Sequence, residues 1–134
     1  MKKPDPLIEC DLCKGRFKLT ADQVKEVPVT LEKEGLPPHE AVLTFLECPL
    51  CGKRYIVILD DAKTQAMAQK LRSLAAKVYK LTKAGKPTST VQKRYREQEW
   101  KLGFNRQKLA EEYYGSFYQL EGTTEQLDYR YRTR

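Results

Sequence analysis

Residues 48–53 read Cys48-Pro-Leu-Cys51-Gly-Lys, and residues 10–15 read Cys10-Asp-Leu-Cys13-Lys-Gly. The two pairs contain all four cysteines of the chain and are separated by 34 residues. Two thiolates three positions apart on a tight turn can both reach one ion at about 2.3 Å, and two such turns complete a tetrahedron. The sequence therefore predicts one structural Zn²⁺ bound by Cys10, Cys13, Cys48 and Cys51. Four cysteine ligands leave no coordination position for water or substrate, so a catalytic metal is not expected.

The residues around the cysteines fit this interpretation. Gly15 and Gly52 follow the two pairs, where a tight turn favours a permissive backbone. Lys14, Lys53 and Arg54 would offset the negative charge of four thiolates. The alternatives are weaker: disulfides suit a secreted chain, a redox pair needs a thioredoxin-like context, and iron–sulfur clusters show tighter cysteine clustering.

Residues 48–53 resemble the C-P-x-C-G-K knuckle of the zinc-ribbon superfamily, and residues 10–15 are similar to a looser first knuckle. The resemblance covers about residues 8–60. It implies a structural zinc and frequent work near nucleic acid or its machinery, and it does not imply an enzyme. The 34 residues between the pairs are more than a minimal ribbon has, so an inserted helix or an extended hairpin must fit there.

Composition indicates a thin core. The chain has 134 residues, of which 40% are apolar and 32% charged, against about 45–50% and about 25% in typical soluble domains. This length predicts one domain, or one small module with an appendage, and metal-binding energy on the order of 10 kcal/mol would offset the thin core. No apolar run is long enough to span a membrane, and the N-terminus lacks the apolar region of a secretory signal. We therefore expect a cytoplasmic protein with no membrane partner.

The N-terminal half alternates short apolar runs with turns. Residues 16–19, 27–31, 41–46 and 55–59 predict extended segments, and Pro28 predicts that its strand lies at a sheet edge. Residues 20–23 have capping-box spacing, which predicts a turn of helix there. His39, the single histidine, is predicted to be an exposed loop residue beside the Pro37-Pro38 turn.

The C-terminal half has helical periodicity. A first helix is predicted over residues 61–84, ended by Gly85 and Pro87. Its apolar stripe is Met67, Leu71, Leu74, Val78 and Leu81. A second capping box begins at Ser89, and a second stripe continues to residue 120, with Gly103 as a place where the helix kinks or breaks. This second stripe is Val91, Tyr95, Leu102, Leu109, Tyr113 and Leu120.

The predicted fold class is α+β. A three-stranded antiparallel zinc ribbon occupies residues 1–60, a basic α-helical hairpin residues 61–120, and a Tyr/Arg-rich tail residues 121–134. The tail has three interpretations: an edge strand, a flexible C-terminal extension that contacts phosphates and bases, or a frayed terminus.

The second helix also carries aromatic residues nearly opposite its apolar stripe. A helix that is apolar on two faces should be covered on both. The ribbon, a second copy of the chain acting through the helices, or a partner could cover the second face. The residues concerned are Trp100, Phe104, Tyr114 and Tyr118.

Charge is uneven along the chain. Residues 1–60 contain 9 Lys/Arg and 10 Asp/Glu, whereas residues 61–134 contain 16 and 8, so the second half carries a net +8. This favours an anionic partner, nucleic acid or an acidic protein surface, although solvated helix faces explain it about equally well. The candidate nucleic-acid contacts are Lys93, Arg94, Arg96, Lys101, Arg106, Lys108, Arg130 and Arg132.

The leading functional hypothesis is a non-enzymatic protein that binds nucleic acid, or a nucleic-acid-associated protein complex, through its basic helical half. The alternative is an adaptor or inhibitor that docks on a host complex, for example the transcription machinery, through the aromatic helix face. Phosphate-binding loops, dinucleotide-binding glycine patterns and metalloprotease motifs are absent from the sequence, and we do not expect an enzyme.

Overall fold

The computed structural model describes residues 7–131. It has three antiparallel sheets, with strand orders β1-β2, β3-β4-β5 and β6-β7, and two consecutive helices. The elements are β1 (Leu7–Glu9), β2 (Arg16–Lys18), a short 3-10 helix (Ala21–Gln23), β3 (Val24–Leu31), β4 (His39–Glu47), β5 (Arg54–Asp60), α1 (Ala62–Lys83), α2 (Ser89–Glu112), β6 (Phe117–Leu120) and β7 (Thr123–Gln126). The predicted α+β class, with a three-stranded antiparallel sheet followed by a helical hairpin, is confirmed.

The three-stranded sheet forms one side of the core because buried and partly exposed side chains alternate along its central strand. Ala41, Leu43 and Phe45 on β4 are buried, as the period of two in a strand requires. The register between β4 and β5 shifts between Thr44 and Phe45. Pro28, which cannot donate a backbone hydrogen bond, lies on β3 at the edge of this sheet, as its sequence position predicts.

The other side of the core comes from the C-terminal part of the chain. Leu109 and Tyr113 at the end of α2, Tyr118 and Leu120 on β6, and Leu127 all pack into the cluster formed by the sheet. Residues from each of the three predicted segments thus share one core. The division of the chain into separate segments at residues 60 and 120 stays a prediction.

The prediction that the second helix continues to residue 120 is wrong. The helix ends at Glu112, the chain reverses through Gly115 at φ 81°, and β6 and β7 form a hairpin. Glu121 and Gly122, both at positive φ, make its two-residue turn, the geometry that matches strand twist. In a strand, Tyr118 and Leu120 point to the same face, whereas a helix would place them on nearly opposite faces.

The two helices pack along each other. Asp61 caps α1 through a complete capping box with Thr64, and Gly85 follows the helix at φ 69°. Thr64 is the only buried residue of α1, and the apolar stripe that runs from Met67 to Leu81 is only half-buried. Beyond its first turn, α1 is therefore a surface helix. Within the described residues, no helix combines the length and the apolar character of a membrane-spanning segment.

Candidate metal centre and basic helical arm

Two hairpin turns position the cysteine pairs. The first pair lies between β1 and β2, and the second lies between β4 and β5. The Cys10 N–H donates to the Gly15 carbonyl at 2.9 Å, and the Cys48 N–H donates to the Lys53 carbonyl at 2.8 Å. In each turn the residue four positions after the first cysteine donates back to that cysteine's carbonyl at 2.8 Å. The two turns are therefore structurally equivalent knuckles.

The equivalence assigns new roles to the residues that follow the cysteines. Lys14 and Gly52 occupy matching positions, and both adopt positive φ, at 62° and 80°. The prediction that Gly15 supplies the permissive backbone is therefore wrong. Gly15 is needed for space instead, because a Cβ there would lie 2.2 Å from Cδ1 of Leu50 and 3.3 Å from Sγ of Cys13.

The four thiol sulfurs lie close enough together for one ion. All are within 4.8 Å of one another, with Sγ–Sγ distances of 3.5 Å for Cys10–Cys51 and 3.8 Å for Cys13–Cys48. A tetrahedron with metal–sulfur bonds of about 2.3 Å has edges of about 3.8 Å. None of the four is in a disulfide. The predicted grouping is confirmed: this cluster could hold one metal ion.

The surroundings of the cluster are polar and asymmetric. Cys10 and Cys48 are buried, whereas Cys13 and Cys51 are exposed. The backbone N–H of Cys13 and then the Tyr55 hydroxyl, 3.1 Å from the sulfur, lower the pKa of Cys10 to about 6. For Cys51 the Lys53 backbone N–H lowers the pKa, but desolvation and the neighbouring thiols outweigh it and raise the pKa to about 12. These pKa values favour the thiolate at Cys10, whereas desolvation and the neighbouring thiols oppose ionisation of Cys51.

A second layer of contacts fixes Tyr55. Its hydroxyl donates to the Asp11 carboxylate, and the Asp11 backbone N–H donates to the hydroxyl at 3.2 Å. Lys53 pairs with the same carboxylate at 2.7 Å. Lys53 first and then Tyr55 lower the pKa of Asp11. These contacts connect the two knuckles, since Asp11 belongs to the first and Lys53 to the second.

The structure sorts the predicted nucleic-acid contacts into three groups. Five side chains on α2 are exposed: Lys93, Arg94, Arg96, Lys101 and Lys108. Arg106 donates to both carboxylate oxygens of Asp60, at 2.8 and 3.0 Å, and the Arg130 guanidinium lies 4.5 Å from the Tyr114 ring centroid. Arg132 lies outside the described residues. Arg106 is occupied by a carboxylate, so the structure gives it a role in tertiary packing that the sequence did not indicate.

Of the predicted aromatic partner residues, the structure brings only two together. The rings of Trp100 and Phe104 stack at a centroid distance of 5.7 Å and are 70% and 55% exposed. Tyr114 is half-buried and donates to Asp128. Tyr118 is buried in the core; the prediction that it shares a helix face with Trp100 is wrong, because α2 ends before it.

His39 also differs from its prediction. It begins β4 rather than lying in an exposed loop. Its ring stacks on that of Tyr113 at 5.0 Å, and its Nε2 lies 3.1 Å from Oδ2 of Asp61. The histidine therefore links the sheet, the end of α2 and the N-cap of α1.

A basic segment that the sequence reasoning did not single out lies on both helices. Residues 62–96, which we call the arm, contain ten Lys/Arg and no Asp or Glu. None of the ion pairs found within residues 7–131 includes an arm side chain. Counting acids as well as bases along the helices would have found this signal. The basic residues of the arm are Lys63, Lys70, Arg72, Lys77, Lys80, Lys83, Lys86, Lys93, Arg94 and Arg96.

In comparisons with known proteins, no family model, no curated protein and no solved structure matched the chain.

Proposed function

We propose that this protein is a non-enzymatic nucleic-acid-binding protein of the zinc-ribbon type, in which a structural zinc stabilises the N-terminal half and the arm contacts phosphates. The observation that carries the proposal is the composition of the arm. It has ten basic side chains and no acidic one, and none of the ion pairs among residues 7–131 includes an arm side chain.

Zinc is the metal that the donor set favours. Four thiolates in a closed tetrahedron are typical of structural zinc sites. Bound by both knuckles, the ion would hold the β1–β2 hairpin against the end of the three-stranded sheet. The small cluster of Cys10, Cys48 and Phe17 is separate from the main core, so this part of the chain has little other apolar burial to stabilise it.

The positive charge of the arm favours binding of a polyanion over an arm surrounded only by water. Exposed helices usually intersperse acids and bases, because pairs at i,i+4 stabilise the helix and like charges at that spacing oppose it. Within the arm no acid offers such compensation; only Glu97 and Glu99, just beyond it, lie three or four positions from Lys93 and Arg96. Over most of its length the charges therefore repel one another and concentrate small anions. A phosphate backbone relieves this repulsion and releases counterions from the nucleic acid, which drives binding at low salt.

The test is the salt dependence of oligonucleotide binding, followed by fluorescence anisotropy of a labelled strand between about 50 and about 200 mM salt. The arm variant is the double substitution Lys93→Gln with Arg94→Gln. The matched control is Lys18→Gln with Arg16→Gln, which removes the same two residue types from exposed positions on β2.

We expect the wild type to bind with a steep negative salt slope. The arm variant should weaken binding and reduce the slope by about 0.7 to 0.9 for each lost phosphate contact, whereas the β2 control should bind like the wild type. Binding that is absent at low salt, or that both variants weaken equally, would contradict the proposal. A protein partner captured from lysate after nuclease treatment, with little salt sensitivity, would favour docking on a protein complex instead.

A further inference from the structure

The most exposed aromatic surface of the molecule adjoins the arm. Trp100 and Phe104 lie one helical turn apart on α2, with ring planes inclined by only 14°. Both side chains are more than half exposed, and neither packs into either of the two core clusters. A pair of large parallel rings in water presents stackable surface that the fold itself does not use.

Cations flank this pair on the same helix, together with two acids, Glu97 and Glu99. Arg96 lies one turn before Trp100, Lys93 two turns before it, and Lys101 next to it, all exposed. A shallow depression at this point is lined by Arg96, Glu97, Trp100 and Lys101. Glu97 contributes a carboxylate there, which repels a phosphate from the depression itself and accepts hydrogen bonds from amino groups.

From this arrangement we infer that Trp100 and Phe104 stack on unpaired bases, so that the preferred ligand of the arm is single-stranded rather than duplex nucleic acid. The inference rests on the proposed function and adds the class of ligand to it. Phosphates would follow the arm cations, and the bases would turn towards the two rings.

Base stacking requires unpaired nucleotides. In a duplex each base is covered on both faces by its neighbours, whereas a single strand can place its bases on aromatic side chains. The near-parallel rings let a base continue the stack on an outer face, in any sequence, because every base has a π-face. A duplex could meet the arm cations but would leave the rings exposed to water.

Charge also argues against a second copy as the occupant of this surface. The arm carries ten uncompensated positive charges, and a twofold contact through α2 would bring two arms together. The arm residues 62–96 contain no acid of their own, so the like charges of the two arms would oppose such a contact, with only Glu97 and Glu99 beside Trp100 to offset them. A strand of phosphates instead neutralises the charges beside the rings.

Trp100 is the single tryptophan of the chain, so its fluorescence reports directly on this surface. The probes are oligothymidylate and oligouridylate of about 15 nucleotides and a duplex of the same length. We expect both single strands to quench the tryptophan emission strongly and to bind more tightly than the duplex at equal salt.

Anisotropy with labelled probes then tests the rings one at a time. Trp100→Ala should weaken single-strand binding about 5- to 150-fold, the range for loss of one stacked base, and leave duplex binding within about twofold. Phe104→Ala should act in the same direction, and Trp100→Phe should retain most of the affinity. Phe117→Ala is the matched control, since its ring is 50% exposed on β6, outside the arm. Zinc content and circular dichroism confirm that each variant is folded.

The outcomes separate this inference from the proposed function. If the arm variant weakens binding but Trp100→Ala leaves single-strand affinity within twofold of the wild type, the arm binds nucleic acid and the stacking inference is wrong. Equal loss with Trp100→Ala for duplex and single strand would also overturn the stacking inference. If no probe binds the wild type at low salt, the proposed function itself fails.

Discussion

Replacing Arg106 with glutamine tests whether this residue stabilises the fold or contacts nucleic acid. Its guanidinium donates to both oxygens of Asp60, at 2.8 and 3.0 Å. The two side chains are 19% and 13% exposed. Asp60 is the last residue of β5 and Arg106 lies on α2, so the pair joins the sheet directly to the second helix.

The size of the effect follows from the burial of the pair. Removing one partner of a fully buried ion pair costs about 3–5 kcal/mol, because an uncompensated charge remains, and a hydrogen bond to a charged group contributes about 1.5–3 kcal/mol. Some water reaches both side chains, so we expect Arg106→Gln to lower the free energy of unfolding by about 2–3 kcal/mol. At about 4 °C per kcal/mol for a chain of this size, the Tm should fall by about 8–12 °C.

The assay is urea unfolding of the zinc-loaded protein, with oligonucleotide affinity measured in parallel. Lys108→Gln is the control, because Lys108 is an exposed cation two residues further along the same helix, and its change should stay within about 0.5 kcal/mol. A double-mutant cycle with Asp60→Asn isolates the coupling between the two side chains. Equal stability of the two variants, or a loss of oligonucleotide affinity in Arg106→Gln at temperatures where it is folded, would refute the reasoning.

Three further predictions concern the metal centre and the first helix. Cys48→Ser should abolish stoichiometric zinc, measured by elemental analysis, and expose the β1–β2 hairpin to protease; retained zinc with unchanged protection would count against the site. Gly52→Ala should lower the free energy of unfolding by about 1 kcal/mol or more, measured by chemical unfolding, since a φ of 80° strains any side chain. Gly15→Ala should instead lower zinc affinity, because its Cβ would displace Leu50 and press on Sγ of Cys13. Equal zinc affinity in the two variants would contradict this. Burial raises the pKa of Asp61, but hydrogen bonds from the Thr64 N–H and from His39 outweigh it and hold the pKa below its usual 3.8. Asp61→Ala should therefore cost about 1 kcal/mol near neutral pH, and the difference from the wild type should vanish as the pH falls through the lowered pKa, below about 4; a difference that persists unchanged at lower pH would contradict the assignment.

The cysteine cluster was predictable because its determinants are local. The spacing within each cysteine pair defines a knuckle, and two knuckles that meet bring four sulfurs close enough to bind one ion. What the spacing could not show is which residue adopts the left-handed backbone. Lys14 does so in the first knuckle, although a glycine is adjacent, because Gly15 is reserved for the close approach of Leu50 from the second knuckle. That constraint comes from a contact across the two hairpins and leaves no mark in the local sequence.

The C-terminal hairpin was missed for a different reason. Apolar residues at 109, 113 and 120 continue a helical spacing, so periodicity extends the helix through residue 116. The stronger signal is Glu121-Gly122, a two-residue turn in which both residues take positive φ, although Asn or Asp is commoner at the first position. Tyr118 and Leu120 then reach the core by strand alternation, and the tertiary burial of these residues overrides the helical pattern.

The separation of acids from bases along the two helices is more informative than the net charge of the C-terminal half. A net of +8 over residues 61–134 is compatible with ordinary solvated helices, because acids elsewhere in that half could pair with the bases. None of the ion pairs found among residues 7–131 includes an arm side chain, and α1 buries only Thr64. The first helix therefore has little burial to offset the repulsion among its own basic side chains. A ligand that neutralises the arm should stabilise α1 more than any other element, since binding to the folded form alone raises its stability by mass action. This coupling distinguishes a phosphate-binding arm from a merely solvated one, and it connects the weak packing of α1 to the function proposed for it.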